Sequence, residues 1–561
     1  MKIKLICGII LACMLLCTMI GCQTSGSDAI TTEVATTQVP ETEKPPMAIK
    51  LAELNNYILI RPEETDDTTI KAATDLLKAI NTACGTSVRI KTDFYKEGMK
   101  GYEIIDQEIL IGSTSRPQTA AFLATLRADD YGYGVVDGKL VIAGHNSATT
   151  AKAVQLFCNH VLTADAATRA DFFVEGEGKI NIGKYPLDTL TLCGKPIHEF
   201  SILYPKESQN FEKQLAKLLA DHIASVCGYV LPVEAGELTD EAGKICIGSA
   251  FSRSPVTSGQ YLMGADAATV LACGADSVGN AAAVHALIDA LTPADGKETH
   301  DCVLNAPEAT KIEDTTMSAM SFNVYVGNLV PERQARVLNM ILRYMPDSFG
   351  VQEASDAWMT YLKRELNGYY AYVGIGRDNG AGEYSAVFYA KDKFDLAESG
   401  TKWLSDTPDV SSKFPSSSLN RIFSYAVLTR KSDGVRLMHV NTHFDHVSEE
   451  ARGQQAGVLL DFIAKYPDLP IVCTGDFNTG YGGTIHKNMV AGRLSDAFDL
   501  APGAKRAATF HSYGSASSII DFCFLTDDKI KATYYDVCDD KVNGDYASDH
   551  HPVYIEYQLI G

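Results

Sequence analysis

Tyr546-Ala547-Ser548-Asp549-His550-His551-Pro552-Val553 sets an Asp-His pair directly ahead of a Pro-Val strand start. A side chain there is delivered from the rim of a sheet, where it can be held in fixed geometry. Reading outward from this octet, the same arrangement recurs. Asn323 follows Met320-Ser321-Phe322, and Gln352-Glu353 close Ser348-Phe349-Gly350-Val351. Asn441-Thr442-His443 end the run from Arg436, Gly475-Asp476-Phe477-Asn478 end the run from Leu469, and Asp521 follows Ile519-Ile520. Any one of these residues could simply finish a strand with turn chemistry. Six such sites carrying carboxylates, amides and imidazoles form the inventory that metal-assisted phosphoester chemistry requires.

The segment around them alternates as an α+β domain does. Met320–Val326 and Ser348–Val351 read as strands, with a helix near Glu332–Tyr344 whose apolar face is Val337, Met340, Ile341 and Tyr344. A second helix follows near Ser355–Leu366, and further strands are predicted at Tyr384–Tyr389, Phe423–Thr429, Arg436–Asn441, Leu469–Thr474, Ile519–Leu525 and Pro552–Tyr557. Ser448 is placed to cap a helix over Glu449–Lys465, with Glu449 and Glu450 at its positive end. Trp358 and Trp403 read as packing residues.

Met317–Gly561 resembles the endonuclease/exonuclease/phosphatase (DNase I-like) superfamily: S-F-N-V, V-Q-E, N-T-H-F-D-H, G-D-F-N, I-I-D-F and S-D-H-H-P-V occur in family order. The resemblance implies a two-sheet β-sandwich flanked by helices, spanning residues 316–561. Glu353 and Asn323 offer hard oxygens suited to Mg²⁺ or Mn²⁺, and the resemblance adds Asp549 as a further metal contact. His550 is the group that titrates near neutrality and can serve as acid, base or phosphate donor, oriented by Asp521. Asp476 is expected to orient or deprotonate water, and Asn478 to hold a phosphate oxygen. His443 sits where the family places a donor to the phosphate or leaving group. Arg421 and His551 are candidate phosphate contacts, Arg421 with a carboxylate as the alternative partner. Asp445 and His446 read as loop residues.

Upstream, two segments repeat one order of strand, helix, strand, hairpin and helix, as two smaller α+β domains over 50–185 and 190–310. One passes from Tyr57–Pro62 to Ile109-Leu110-Ile111-Gly112-Ser113, the other from Phe200–Pro205 to Ile245-Cys246-Ile247-Gly248-Ser249. Neither carries a catalytic set, and the Ile-Gly-Ser stretches lack the Gly-Lys-Ser/Thr of a phosphate-binding P-loop. They faintly resemble the accessory domains of secreted carbohydrate-active enzymes. Glycan or cell-surface binding and plain spacing are equally open for them.

Met1-Lys2-Ile3-Lys4 and the apolar run Leu5–Ile20 read as a secretory signal over 1–22, ending in Gly21-Cys22. Cys22 resembles a lipoprotein lipidation site. Residues 23–49, rich in Thr, Glu and Pro, read as a disordered stalk. The expected location is therefore the outer face of a bacterial cytoplasmic membrane, by a lipid anchor, or secretion. The formal net charge of −21 disfavours a broad electrostatic grip on nucleic acid. The ten cysteines beyond the stalk form no CxxC or Cys/His cluster and read as buried thiols. Together these features predict a metal-dependent hydrolase of an extracellular phosphoester, with a diester preferred. A nucleic acid, a phospholipid head group or a phosphorylated glycan is the open substrate class. A phosphomonoesterase, or a surface binding protein with a retained cleft, is the alternative.

Overall fold

The computed structural model describes residues 48–96, 104–162, 172–174, 178–208, 210–237, 242–266, 269–294, 296–313 and 315–560. All lie within one unit, Met47–Gly561. The expected signal segment, Cys22 and most of the expected stalk fall outside the described residues. Ala48 and Ile49, counted with the stalk by composition, pair in a strand with Phe173 and Val174.

The two repeats form separate six-stranded sheets with one topology. In the first, Ile58–Arg61 lies between Arg89–Thr92 and Glu108–Ile111, parallel to both. Lys139–Gly144 continues the parallel set, and Tyr131–Val136 returns antiparallel beside it. In the second, Ser201–Pro205, Val233–Gly236, Lys244–Ile247, Thr269–Gly274 and Gln260–Asp266 occupy the equivalent places with the same directions. Helices Asp67–Cys84 and Asn210–Cys227 follow the first strand of each, as their apolar periodicity requires. In the first repeat Arg116, three residues past the Ile-Gly-Ser stretch, is structural. Arg116 forks onto Glu108 through Nε and Nη2, both at 3.0 Å, and Lys139 completes the buried triad at 2.6 Å.

The C-terminal domain is a sandwich of two six-stranded sheets. One is ordered Tyr370–Val373, Val387–Ala390, Ser348–Gln352, Met317–Asn323, Val553–Leu559 and Ile530–Val537. The other is ordered Phe394–Trp403, Ile422–Arg430, Arg436–His443, Ile471–Asp476, Asp521–Thr526 and Leu494–Asp496. At the centre of each, two parallel strands run side by side, Met317–Asn323 with Ser348–Gln352 and Arg436–His443 with Ile471–Asp476. The four therefore deliver their C-terminal residues to one end of the sandwich. The expected helices appear as Pro331–Tyr344, Asp356–Leu366 and Glu449–Ile463, the last capped by Ser448 on the Ala451 N–H. The expected strand at Tyr384–Tyr389 is shorter and later, Val387–Ala390. Both tryptophans are buried, and their indole N–H groups bond to the carbonyls of Tyr325 and Arg377.

A polar seam joins the inner faces of the two sheets. Asn441, fully buried, donates to the carbonyls of Val351 (2.8 Å) and Ala386 (3.0 Å) and accepts from Gln352 Nε2 (2.6 Å) and Thr474 Oγ1 (3.0 Å). His439, held neutral by burial with its pKa lowered to about 3, bridges Ser348 Oγ and Thr474 Oγ1 at 2.8 and 2.9 Å. Gly350 makes room for this contact, since a Cβ there would fall 2.2 Å from Asn441 Oδ1. Gln352 and Asn441, which the strand-end pattern aligned with the site, face the seam.

The second repeat is built into the sandwich. Its helix Asn210–Cys227 meets the C-terminal domain through Gln214 Nε2 on Glu365 (2.7 Å), Asp221 accepting from Asn339 (2.7 Å) and Phe211 against Tyr369 (5.0 Å between centroids). One continuous apolar core runs through both. All ten described cysteines are free.

Asn441→Ala is predicted to lower unfolding stability by about 2–6 kcal/mol, because it removes four buried hydrogen bonds at about 0.5–1.5 kcal/mol each. Urea denaturation of the variant beside the parent protein measures this.

Candidate active site

The ends of the central strands converge on a cleft of about 290 Å³. Glu353, His443, Asp476, Asn478, Asp549 and His550 line it, joined by Arg421 and His446. Three residues at its rim hold left-handed backbone, Tyr325 (φ 55°), Glu353 (φ 58°) and Asn478 (φ 49°). Such conformations are costly for side chains of this size and persist where the surroundings over-determine them.

Arg333 fixes the entry loop. Its guanidinium is buried and donates to the carbonyls of Val324 (2.7 Å), Tyr325 (2.7 Å), Asn328 (2.8 Å) and Ala547 (3.2 Å), and also to Gly327. One side chain thus ties the segment after Asn323 to the segment before Asp549. No sequence signal marked it, because an arginine in the first turn of a surface helix reads as solvated.

On the acidic side of the cleft, Asn323 Nδ2 donates to Glu353 Oε1 and Asp476 Oδ2, each at 3.1 Å. Asn323 Oδ1 accepts the Tyr325 N–H at 2.9 Å, which fixes the orientation of the amide. In this arrangement the nitrogen of Asn323 faces the carboxylates and bridges them, and its oxygen faces the loop. Glu353 Oε2 accepts from the Val326 N–H at 3.0 Å. Burial, and then the neighbouring Asp521, push Asp476 up to about 7, and burial also raises Asp549. Carboxylates crowded and raised in this way are short of positive charge. Acceptor atoms of Glu353, His443 and Asp476 lie within 4.8 Å of one another, and the Glu353 charge also reaches Asp549, so the carboxylate oxygens gathered here suit a hard divalent cation.

Across from them, His550 Nδ1 donates to Asp521 Oδ2 at 2.8 Å, with Nε2 3.9 Å from Asp476 Oδ2. Burial alone would lower its pKa, but Asp521, Asp476 and Asp549 together raise it to about 10. His550 is therefore an imidazolium at neutral pH, with its Nε2–H directed at the cleft side of the pair. His443 is the opposite case. Burial, then Arg421 and His550, hold it well below the ordinary histidine value, so it is neutral, 3.5 Å from Asp476. Asn478 is anchored to the Phe444 carbonyl at 3.1 Å.

Arg421 lies in the wall of the cleft, with Nη2 on His446 Nδ1 at 3.1 Å. Asp445 sits beneath, accepting from the Val447 and Ser448 N–H groups and from Ser417 and Ser418, and so sets the loop that carries His446. The structure does not bring His551 into the cleft. Its ring stacks on His511 at 4.0 Å, and its N–H is taken by the Thr509 carbonyl. Next to Arg421, Arg377 is held in a two-point pair with Glu383, 2.8 Å on each arm.

Residues 320–550 match the family model described as the Endonuclease/Exonuclease/phosphatase family. A solved endonuclease/exonuclease/phosphatase family protein from Bacteroides thetaiotaomicron is 30% identical, with 44% of this chain and 98% of that one covered and a TM-score of 0.41. A mannosyl-6-phosphatase from the same organism gives 30% identity, 44% and 100% coverage, and a TM-score of 0.41. A third structure, an endonuclease/exonuclease/phosphatase from Bacteroides vulgatus, gives the same four values. No curated protein matches the chain.

A cation bound in this cleft is expected to favour the deprotonated forms of Asp476 and Asp549. Mn²⁺ affinity measured by calorimetry is predicted to rise between pH 6 and pH 8, as the carboxyl near 7 gives up its proton. In chelator the sign reverses. The folded pKa of Asp476 lies above its ordinary 3.8, so its contribution to stability is lost as pH climbs from 3.8 to about 7, and thermal melting should show Mn²⁺ restoring it.

Proposed function

Since residues 320–550 form a domain of the endonuclease/exonuclease/phosphatase superfamily, we propose that this protein is a divalent-metal-dependent phosphoester hydrolase. It acts outside the cytoplasm, tethered through a lipid on Cys22. The observation that carries this reading is the division of the cleft. Carboxylates with raised pKa values stand on one side, and an imidazolium with a neutral imidazole stands on the other.

Glu353 and Asp549 would hold Mg²⁺ or Mn²⁺, with Asn323 keeping Glu353 and Asp476 in register through its amide. The bound cation supplies charge neutralisation and polarisation of a phosphoryl oxygen. Asp476, once ionised, is the acceptor that orients the attacking water. His550 donates Nε2–H to a phosphate oxygen, and Asp521 stabilises its positive charge. A second charged donor held by burial costs nothing to reorganise as charge builds up. His443, neutral, hydrogen-bonds the phosphate or the departing oxygen without adding charge. Asn478 presents its amide to a further phosphate oxygen, and Arg421 is the cationic contact beyond it.

Substrates carried on a surface polymer or released near the cell suit the acidic chain better than long polyanions do, given the net charge of −21. The two repeats serve as a binding platform for glycan or cell-surface ligands in this reading.

Hydrolysis of aryl phosphates in Mg²⁺, Mn²⁺ or EDTA tests the proposal. Activity is expected only with metal, and both His550→Ala and Asp476→Asn should lower kcat by about 10²–10³-fold or more. Equal rates in the parent protein and both variants would exclude the hydrolase. A panel of sugar phosphates, nucleic acids, sphingomyelin and phosphoinositides then identifies the natural class.

A further inference from the structure

Arg421 is 3% exposed, yet among the described residues no carboxylate lies within ion-pair distance of it. Its Nη2 donates to a neutral nitrogen, His446 Nδ1, and its Nε is buried without a partner. The carboxylates that face it from farther off are Asp476, Glu383 and Asp445, and each is already bonded to other donors, Asp476 to Asn323 Nδ2 and the Asn478 N–H. Glu383 is gripped on both oxygens by Arg377, and Asp445 is saturated by the Ser417, Ser418, Val447 and Ser448 donors. A guanidinium stays protonated in proteins, and a buried charge without a counterion is strongly unfavourable unless a ligand supplies one. The contact with His446 carries a second consequence. Because arginine can only donate, His446 Nδ1 must accept, which leaves the proton of a neutral ring on Nε2. His446 thus becomes a second donor in the same wall.

We infer that the site takes a phosphomonoester, with Arg421 and His446 receiving the terminal oxygens of its dianionic phosphate. This rests on the reading of the site as a phosphoester hydrolase. A diester offers two non-bridging oxygens and a single charge, which His550, His443 and Asn478 already match. A monoester offers a third oxygen and a second charge, the requirement that an unpaired guanidinium answers. The sequence alone leans toward a diester; the buried wall reverses that preference. In the reaction the oxygen of water bonds to phosphorus and the ester P–O bond breaks. The departing alcohol oxygen leaves with one proton of the water, and orthophosphate retains the other.

The test compares p-nitrophenyl phosphate with bis(p-nitrophenyl) phosphate, using the full exported chain with Mn²⁺ or Mg²⁺. The parent protein should show the higher kcat/KM on the monoester. Arg421→Gln should lower that value by about 10²-fold or more while lowering diester cleavage less than about tenfold. Arg421→Lys, which keeps the charge and loses the fork, should fall between the two. A measurement on the parent protein alone avoids any folding defect of the variants. Orthophosphate should inhibit at least about tenfold more strongly than dimethyl phosphate, since only the dianion uses both wall donors. A better diester rate, an equal loss on both esters or equal inhibition by the two anions would overturn the inference while leaving the hydrolase intact. Cleavage of neither ester would instead remove the hydrolase reading itself.

Discussion

The carboxamide of Asn441, with both hydrogens and both lone pairs engaged between the sheets, is the contact on which the C-terminal domain depends. Two β-sheets packed by apolar side chains alone can slide, because dispersion and apolar burial are non-directional. Hydrogen bonds at a buried amide are directional, and their loss leaves unsatisfied groups. The seam of Asn441, Gln352, His439, Ser348 and Thr474 therefore fixes one register between the sheets. The catalytic set needs that register. Glu353 comes from one sheet and Asp476, Asp521 and His443 from the other, while His550 arrives on the loop that re-enters the first.

With the register fixed, the chemistry of the cleft follows from charge placement. Burial first, and then the neighbouring carboxylates, raises Asp476 and Asp549 on one side and leaves them short of a cation. Asp521 behind His550 keeps that ring charged. His443, buried and with Arg421 nearby, is kept neutral. Two imidazoles within reach of the same aspartate thus hold opposite protonation states through what lies behind each of them. Arg333 contributes without approaching the chemistry, by holding the carbonyls of the entry loop and of Ala547.

The second repeat extends this scaffold. Its long helix shares an apolar core with Pro331–Tyr344 and Asp356–Leu366, the helices that follow two of the catalytic strands. Asp221, pushed up to about 6 by burial and bonded to Asn339, lies in that junction, a polar pin of the kind that fixes orientation between packed layers. The first repeat keeps a core of its own.

Much of the domain was legible along the chain because strand ends announce themselves. An apolar run gives the strand, and the polar residue after it gives the rim. Glu353, His443, Asp476 and Asn478 stand out in this way, and Asp521, Asp549 and His550 stand out as polar residues at or just ahead of a strand start; all lie in one cleft or directly behind it. What failed to follow from the sequence is direction. Strand position says that Asn441 and Gln352 lie beside catalytic neighbours, yet alternation turns their side chains inward to the seam. Asn323 is in place, but the Tyr325 N–H decides which end of its amide meets the carboxylates. The sequence by itself determined which residue types arrive at the end of the sandwich, since local periodicity is encoded in neighbours along the chain. Only the tertiary structure decided which of them are charged, and which cation stands unpaired in the wall. Burial and counterion distance arise between segments far apart in sequence, as the isolation of Arg421 shows.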